Sequence, residues 1–198
     1  SLPKLSNQVG NQIRTNNESL VLVISKDKNK NFSKGVAIGS IFPVDADSHL
    51  EPVRYGAGSG FWKLLGAPLT FGNNLIIRFL KIFFQYISHP FLYLKLFTVK
   101  DFAKQSVILL FMQHLDSTLR FSKGIINMKS SISKGKSPTA FMPLAKKLAE
   151  KTGEIVNGKP MVLITEALTG IPTTAHILGG AVIGSSPENG VIDVNQIG

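Results

Sequence analysis

With 198 residues and 43% hydrophobic side chains, the chain is long enough to bury the core of one domain, or of one domain with fragments of a second. It contains no cysteine, which excludes disulfides, thiolate metal sites and a cysteine nucleophile. Lys and Arg number 22 against 12 Asp and Glu, a net charge of +10; this suits nucleic acid, an anionic membrane or an acidic partner, but no zinc-finger, RNP-type or basic-zipper pattern of a nucleic-acid reader occurs.

Residues 2–18 (LPKLSNQVGNQIRTNNE) are polar and predict a helix and loop, with Gly10 ending a short helical turn. Residues 1–11 do not carry the charged and then apolar pattern of a secretory signal, so the expected location is the cytoplasm or a membrane periphery. The run SLVLVIS (19–25) is apolar and β-branched, and a charged turn separates it from a second run at 35–42, which predicts a hairpin-like pair of strands. DADSHLEPVRY (45–55) reads as a strand that carries polar groups into an interior. The glycine-rich residues 56–72 predict a loop over the domain.

Residues 74–100 (NLIIRFLKIFFQYISHPFLYLKLFTVK) are the most hydrophobic region. Their longest charge-free run, 82–94, is too short to span a bilayer, which takes about 20 apolar residues, and Pro90 interrupts it. Two helices meeting near His89 and Pro90 are expected instead. Residues 106–114 and 118–131 predict buried antiparallel strands, with Gly124 at a bulge or turn. Leu144 and Leu148 lie at helical spacing within 138–152, with Gly153 at the C-cap. Residues 161–198 mix short strands with turns. The class expected is α+β: a mainly antiparallel sheet of about six strands covered by helices on one face.

The stretch TTAHILGGAVIG (173–184) places a histidine just before two glycines and continues into an acidic strand. It is similar to the histidine segment of glucose-methanol-choline oxidoreductases, and within them to the cholesterol oxidase branch. RTNNESL (14–20), SHLEPVRY (48–55) and the helix before Gly153 follow the order and spacing of that branch, so the resemblance covers nearly the whole chain. It implies a substrate-binding domain over 19–172. Residues 1–18 would be the edge of an FAD domain or a linker, and 173–198 the active-site histidine segment returning to that domain. Family members hold the flavin pyrophosphate on a Gly-rich strand-turn-helix, and no G-x-G-x-x-G occurs here. The resemblance therefore implies that FAD belongs to the full-length protein, that this chain alone does not retain it, and that the chain alone is inactive.

Oxidising a secondary alcohol needs a group beside the hydroxyl to orient it or take its proton, and a neutral imidazole suits that task. By resemblance His176 is that group, Glu51 is the carboxyl that moves protons on a sterol, and Gly179 and Gly180 approach the flavin. The residues alone leave other readings open: a structural histidine, a Glu51–Arg54 ion pair, and glycines required by a turn or a neighbouring strand. Asn16 and Asn17 read as turn chemistry. His49, His89 and His114 lack metal-ligand spacing, so no metal is expected. The implied partners are a sterol or another apolar alcohol, the missing FAD domain and a peripheral membrane contact, with no nucleic acid. Residues 74–100 could form a lid, a membrane contact through Phe83, Phe84, Phe91 and Leu92, or part of the core. The alternative to an enzyme is a basic lipid-binding or partner-binding module.

Overall fold

Nine residues reading NESLVLVIS leave a strand almost no polar face, and β1 (Asn17–Ser25) is accordingly buried on both sides, with Leu20 its one half-buried member. A strand cut off from water must find hydrogen-bond partners on both edges. It does so with β5 (Ser106–Gln113) on one side and β8 (Gly158–Leu163) on the other, both antiparallel, Leu22 lying opposite Ile108 and Met161. The computed structural model describes residues 5–72 and 74–195. The terminal segments expected at 1–18 and 173–198 therefore extend, at residues 1–4 and 196–198, outside the described residues.

Three further strands complete an antiparallel sheet of six: β2 (Phe42–Pro43), β3 (Ser48–Val53) and β4 (Gly66–Pro68), in the order β2-β3-β5-β1-β8-β4. The α+β class and the strand count are those expected. Alternation along β1 sends its side chains to two apolar layers. Leu22 and Ile24 join Ile108, Met161 and Leu163 beneath Tyr93 and Leu96 of α2 (Pro90–Phe97) and Phe102 of α3 (Phe102–Gln105). Val21, Val23 and Leu109 pack on Ala149 of α4 (Pro143–Ile155). Ile82 of α1 (Leu75–Ser88) meets Ala67, Val162 and Ala167, the last from α5 (Ile164–Thr169). Helical cover thus extends to the second face of the sheet.

The two helices expected around His89 and Pro90 are present. Asn74 Oδ1 accepts the Ile77 N–H at 2.9 Å and caps α1. Pro90 opens α2 at the position where its missing N–H costs nothing, and the helix axes differ by 93°. Among the described residues no single helix is long and apolar enough to cross a membrane.

Several expectations are corrected. Residues 35–42 do not pair with β1, whose edges are both taken; they contribute only an Ile38–Val53 bridge and the two-residue β2. Residues 56–72 are more than a loop, since β4 pairs with β8. Residues 118–131 are strands but not buried ones: β6 (Thr118–Lys123) and β7 (Met128–Lys134) form a hairpin closed by Gly124 N–H to Asn127 O, and β7, reading MKSSISK, is exposed throughout. Gly153 lies inside α4 rather than capping it. A Cβ there would stand 3.1 Å from Gly158 O and 3.2 Å from Pro160 Cδ, so the glycine admits β8, and Asn157 at φ 49° makes the turn.

The chain divides into two units. One holds the sheet and its helices, Asn17–Gln113 with Thr139–Thr173; the other gathers Ser1–Asn16, His114–Pro138 and Thr174–Gly198. In the second, Ile13 is buried and bridges Leu119, and Arg14 bridges Leu178 while its guanidinium donates to Asp116 at 2.8 Å. Because Leu22 is wholly buried in the central strand, Leu22→Ala should destabilise the chain by about 3 kcal/mol. Urea unfolding followed by circular dichroism measures this, and a loss below about 1 kcal/mol would show that the site is not tightly packed.

Candidate functional site

His176 lies in an irregular segment, with a bend at Ala175, whose backbone is held by hydrogen bonds. Thr174 Oγ1 accepts hydrogen bonds from the Thr15 hydroxyl at 2.8 Å and from the His176 N–H at 3.2 Å. Two residues on, Leu178 and Arg14 exchange backbone hydrogen bonds, and Gly180 O accepts the Gly10 N–H at 2.8 Å. The imidazole-bearing residue itself is exposed.

The glycine pair after it has a definite cause. Gly179 and Gly180 adopt φ of 88° and 83°, in the region that penalises a Cβ. A Cβ on Gly179 would fall on the Gln12 carbonyl, so that glycine is required by a neighbouring backbone segment. At Gly180 the same atom would make ordinary contacts, with the Ile13 side chain at 3.4 and 3.6 Å and the Gly10 Cα at 4.0 Å. Both glycines line an apolar cavity of about 770 Å³ together with Val9, Ile13, Phe121 and Ile177.

Glu51 belongs to the sheet unit. Its strand carries polar side chains into the interior as the sequence predicts: Ser48 and Glu51 are 4% and 7% exposed. The ion pair with Arg54 does not form, because Arg54 Nη1 donates to Lys34 O at 3.1 Å. Instead His49, two residues back and so on the same side of the strand, brings Nε2 to 3.5 Å from Glu51 Oε1.

Register then identifies a group that sequence reasoning missed. Across β3, β5 and β1, Val53, Ile108 and Leu22 form one row, Glu51, Leu110 and Leu20 the next, and His49, Met112 and Glu18 the last. Glu18, only 1% exposed, therefore shares the sheet face of Glu51. A carboxylate inside an apolar strand was the available signal. A second missed carboxyl, Glu166, is fully buried on α5. Burial raises its pKa to about 7, aided by the neighbouring Glu18 charge and opposed by hydrogen bonds from Thr173 and Leu20.

Asn17 is not turn chemistry. Its Oδ1 accepts the Thr139 N–H at 2.7 Å and its Nδ2 donates to Gln113 Oε1 at 3.3 Å, tying the start of β1 to the end of β5 and to the approach to α4. Arg78 is also internal: Nε and Nη2 donate to Leu168 O, Nη1 to Gly72 O, and the guanidinium lies over the Phe141 ring. The apolar part of 74–100 divides. Leu92 packs on the core, whereas Phe79, Phe83, Phe84, Ile87 and Phe91 are exposed along α1 and the start of α2. A wholly core role for this region is thereby overturned.

No family model matches the chain. It is 38% identical over 197 residues to a protein of Acinetobacter baumannii named cholesterol oxidase, and 34% identical over 203 residues to one of the same name from Mycobacterium tuberculosis strain H37Rv. These alignments cover 98% and 97% of this chain. The chain spans about a third of the length of these relatives, 35% in each case.

Since Gly179 combines a positive φ with contact against Gln12 O, Gly179→Ala should cost about 2 kcal/mol. The equivalent change at Gly56, which has open space around it, should cost under about 1 kcal/mol. Thermal melts of both variants test this, and equal melting points would refute the close approach.

Proposed function

We propose that this cholesterol oxidase-like segment is the substrate-binding part, with the active-site histidine strand, of an FAD-dependent oxidoreductase that converts a sterol or similar bulky lipid alcohol to a ketone. The observation that carries this reading is the similarity along 98% of the chain to a protein named cholesterol oxidase. In this reading the chain alone is inactive, because the segments that bind the flavin's phosphates lie elsewhere in the full-length protein.

The residues present fit a flavin ring, though not its phosphates. Gly179 and Gly180 line an apolar cavity, and in this reading the flavin ring lies against that wall. Bound flavin supplies the acceptor for the hydride that leaves the carbinol carbon. The His176 imidazole orients the hydroxyl and accepts its proton, so that the carbonyl forms as the C–H bond breaks. Glu51, held off water beside Leu110 and Leu20, carries a proton between carbons of the sterol when a double bond shifts.

The exposed aromatic face of α1 and α2 supports a peripheral membrane contact that would bring an insoluble substrate to the protein. Its apolar residues are flanked by Lys81 and Lys95 in a chain of charge +10, the composition of a helix that lies in an anionic interface. A basic lipid-binding module without redox chemistry rests on the same face, and turnover separates the two.

In the full-length protein, His176→Ala should lower sterol-dependent kcat by about 10²-fold or more, read as peroxide formation or dye reduction. Retained turnover would remove His176 from the chemistry. Replacing Phe83 and Phe84 with serine should reduce co-sedimentation with phosphatidylserine-containing vesicles at low salt by about tenfold. Binding unchanged by the double substitution would remove this face from the membrane contact.

A further inference from the structure

The positive charge of the chain is not spread evenly. A concavity of about 420 Å³ in the sheet unit is lined by Lys26, Lys28, Lys95, Lys100 and Lys104, with Asp101 the one acid among its lining residues. The register of the sheet gathers these side chains. Ile24, near the end of β1, pairs with Ser106 at the start of β5, so the turn after β1 and the helix α3 before β5 meet at one edge. Gln105 Nε2 ties them together by donating to Ser25 O at 3.3 Å. The last turn of α2 arrives at the same place, its Leu96 buried and its Lys95 exposed.

Most of these lysines are unanswered by acids. Asp101 is committed to its own helix: Oδ1 accepts the Lys104 N–H at 3.3 Å and caps α3, while Oδ2 lies 3.5 Å from Lys104 Nζ. Among the described residues no carboxylate pairs with Lys26, Lys28, Lys95 or Lys100. On α4 of the same unit, by contrast, Lys146 pairs with Glu150 and Lys151 with Glu154. Like charges gathered round a concavity repel one another, and an anion seated among them replaces that repulsion with charge-assisted hydrogen bonds.

The surface beside the concavity selects the anion. Phe91, Leu94 and Lys95 share one face of α2, and Thr98, the residue that ends the helix, continues it. Tyr93 and Leu96 take the opposite face into the core. Phe91 is 85% exposed and Leu94 61%, whereas Lys95 and Thr98 line the concavity. Within about two turns this face passes from bare apolar surface to ammonium groups, the order in which a lipid leaflet presents acyl chains and then headgroups. A soluble anion would leave the apolar part unused. Several free ammonium groups also suit a phosphate monoester, which carries nearly two charges and three acceptor oxygens, better than a phosphodiester.

We propose that this lysine-lined concavity binds the phosphate monoester headgroup of an anionic lipid while the exposed face of α2 lies among the acyl chains. The inference rests on the membrane contact proposed above and adds to it a headgroup preference that a diffuse basic surface does not have.

The test uses the full-length protein and co-sedimentation with phosphatidylcholine vesicles containing either phosphatidic acid or enough phosphatidylserine to match the surface charge. Wild type should bind the phosphatidic acid vesicles about tenfold more tightly. Lys26→Gln combined with Lys100→Gln should bring the two affinities to within about twofold of each other; both side chains are exposed, so the fold does not depend on them. Replacing Phe83 and Phe84 with serine should weaken binding to both vesicles and keep their ratio. Inorganic phosphate, at the concentration of the lipid phosphate, should not displace the wild type; displacement would assign the concavity to a soluble anion and overturn the lipid reading. Equal wild-type binding to the two vesicles, or a preference that survives in the lysine variant, overturns this inference and leaves the membrane contact standing. A wild type that binds neither vesicle overturns both.

Discussion

The central strand of the sheet is dry on both faces and occupied on both edges, and most other features follow from that constraint. Once β5 and β8 satisfy the hydrogen bonds of β1, no edge of it remains for residues 35–42, which lie exposed and reach β3 instead, through the Ile38–Val53 bridge and the pairing of Phe42 with Leu50. Once both faces are apolar, each needs a cover. α4 supplies one through Ala149 and α2 the other through Tyr93 and Leu96. α1 packs through Ile82 against β4 and β8, and the 93° bend at His89 and Pro90 is what allows one continuous segment to serve opposite layers. The Tyr93 hydroxyl, buried in that arrangement, donates to Gln85 Oε1 at 2.8 Å; desolvation and the neighbouring Tyr86 push its pKa up to about 12.

Against so apolar a background, the polar groups that remain inside are informative. Glu18, Glu51 and Glu166 are three acids in a chain of net charge +10, and all three are buried. Burying a carboxyl costs several kcal/mol unless it is paired or neutral, so packing alone does not account for them. Glu51 has His49 beside it, whereas Glu166 has only neutral donors and a like charge. The glycines after His176 follow a different logic, since contact with Gln12 accounts for Gly179, while Gly180 shares its positive φ with only ordinary contacts to Ile13 and Gly10.

The sequence alone determined the class, the strand content and the position of the histidine segment, because these depend on local patterns. The β-branched run of β1, the interruption at Pro90 and the His-x-x-Gly-Gly order are legible from neighbours in the chain. The family resemblance pointed to Glu51, in a strand whose residues read as carrying polar groups into the interior. Only the tertiary structure decided which strands pair, that Gly153 serves β8 rather than a helix end, that the β6–β7 hairpin is exposed, and that the faces of α1 and α2 rich in phenylalanine point outward. It alone decided that Glu18 and Glu166 are buried, and that Asn17 joins three segments. The reason is physical: whether a side chain meets water or a distant backbone depends on strands brought together from over a hundred residues apart, and pairing at that separation leaves no trace in the spacing of adjacent residues.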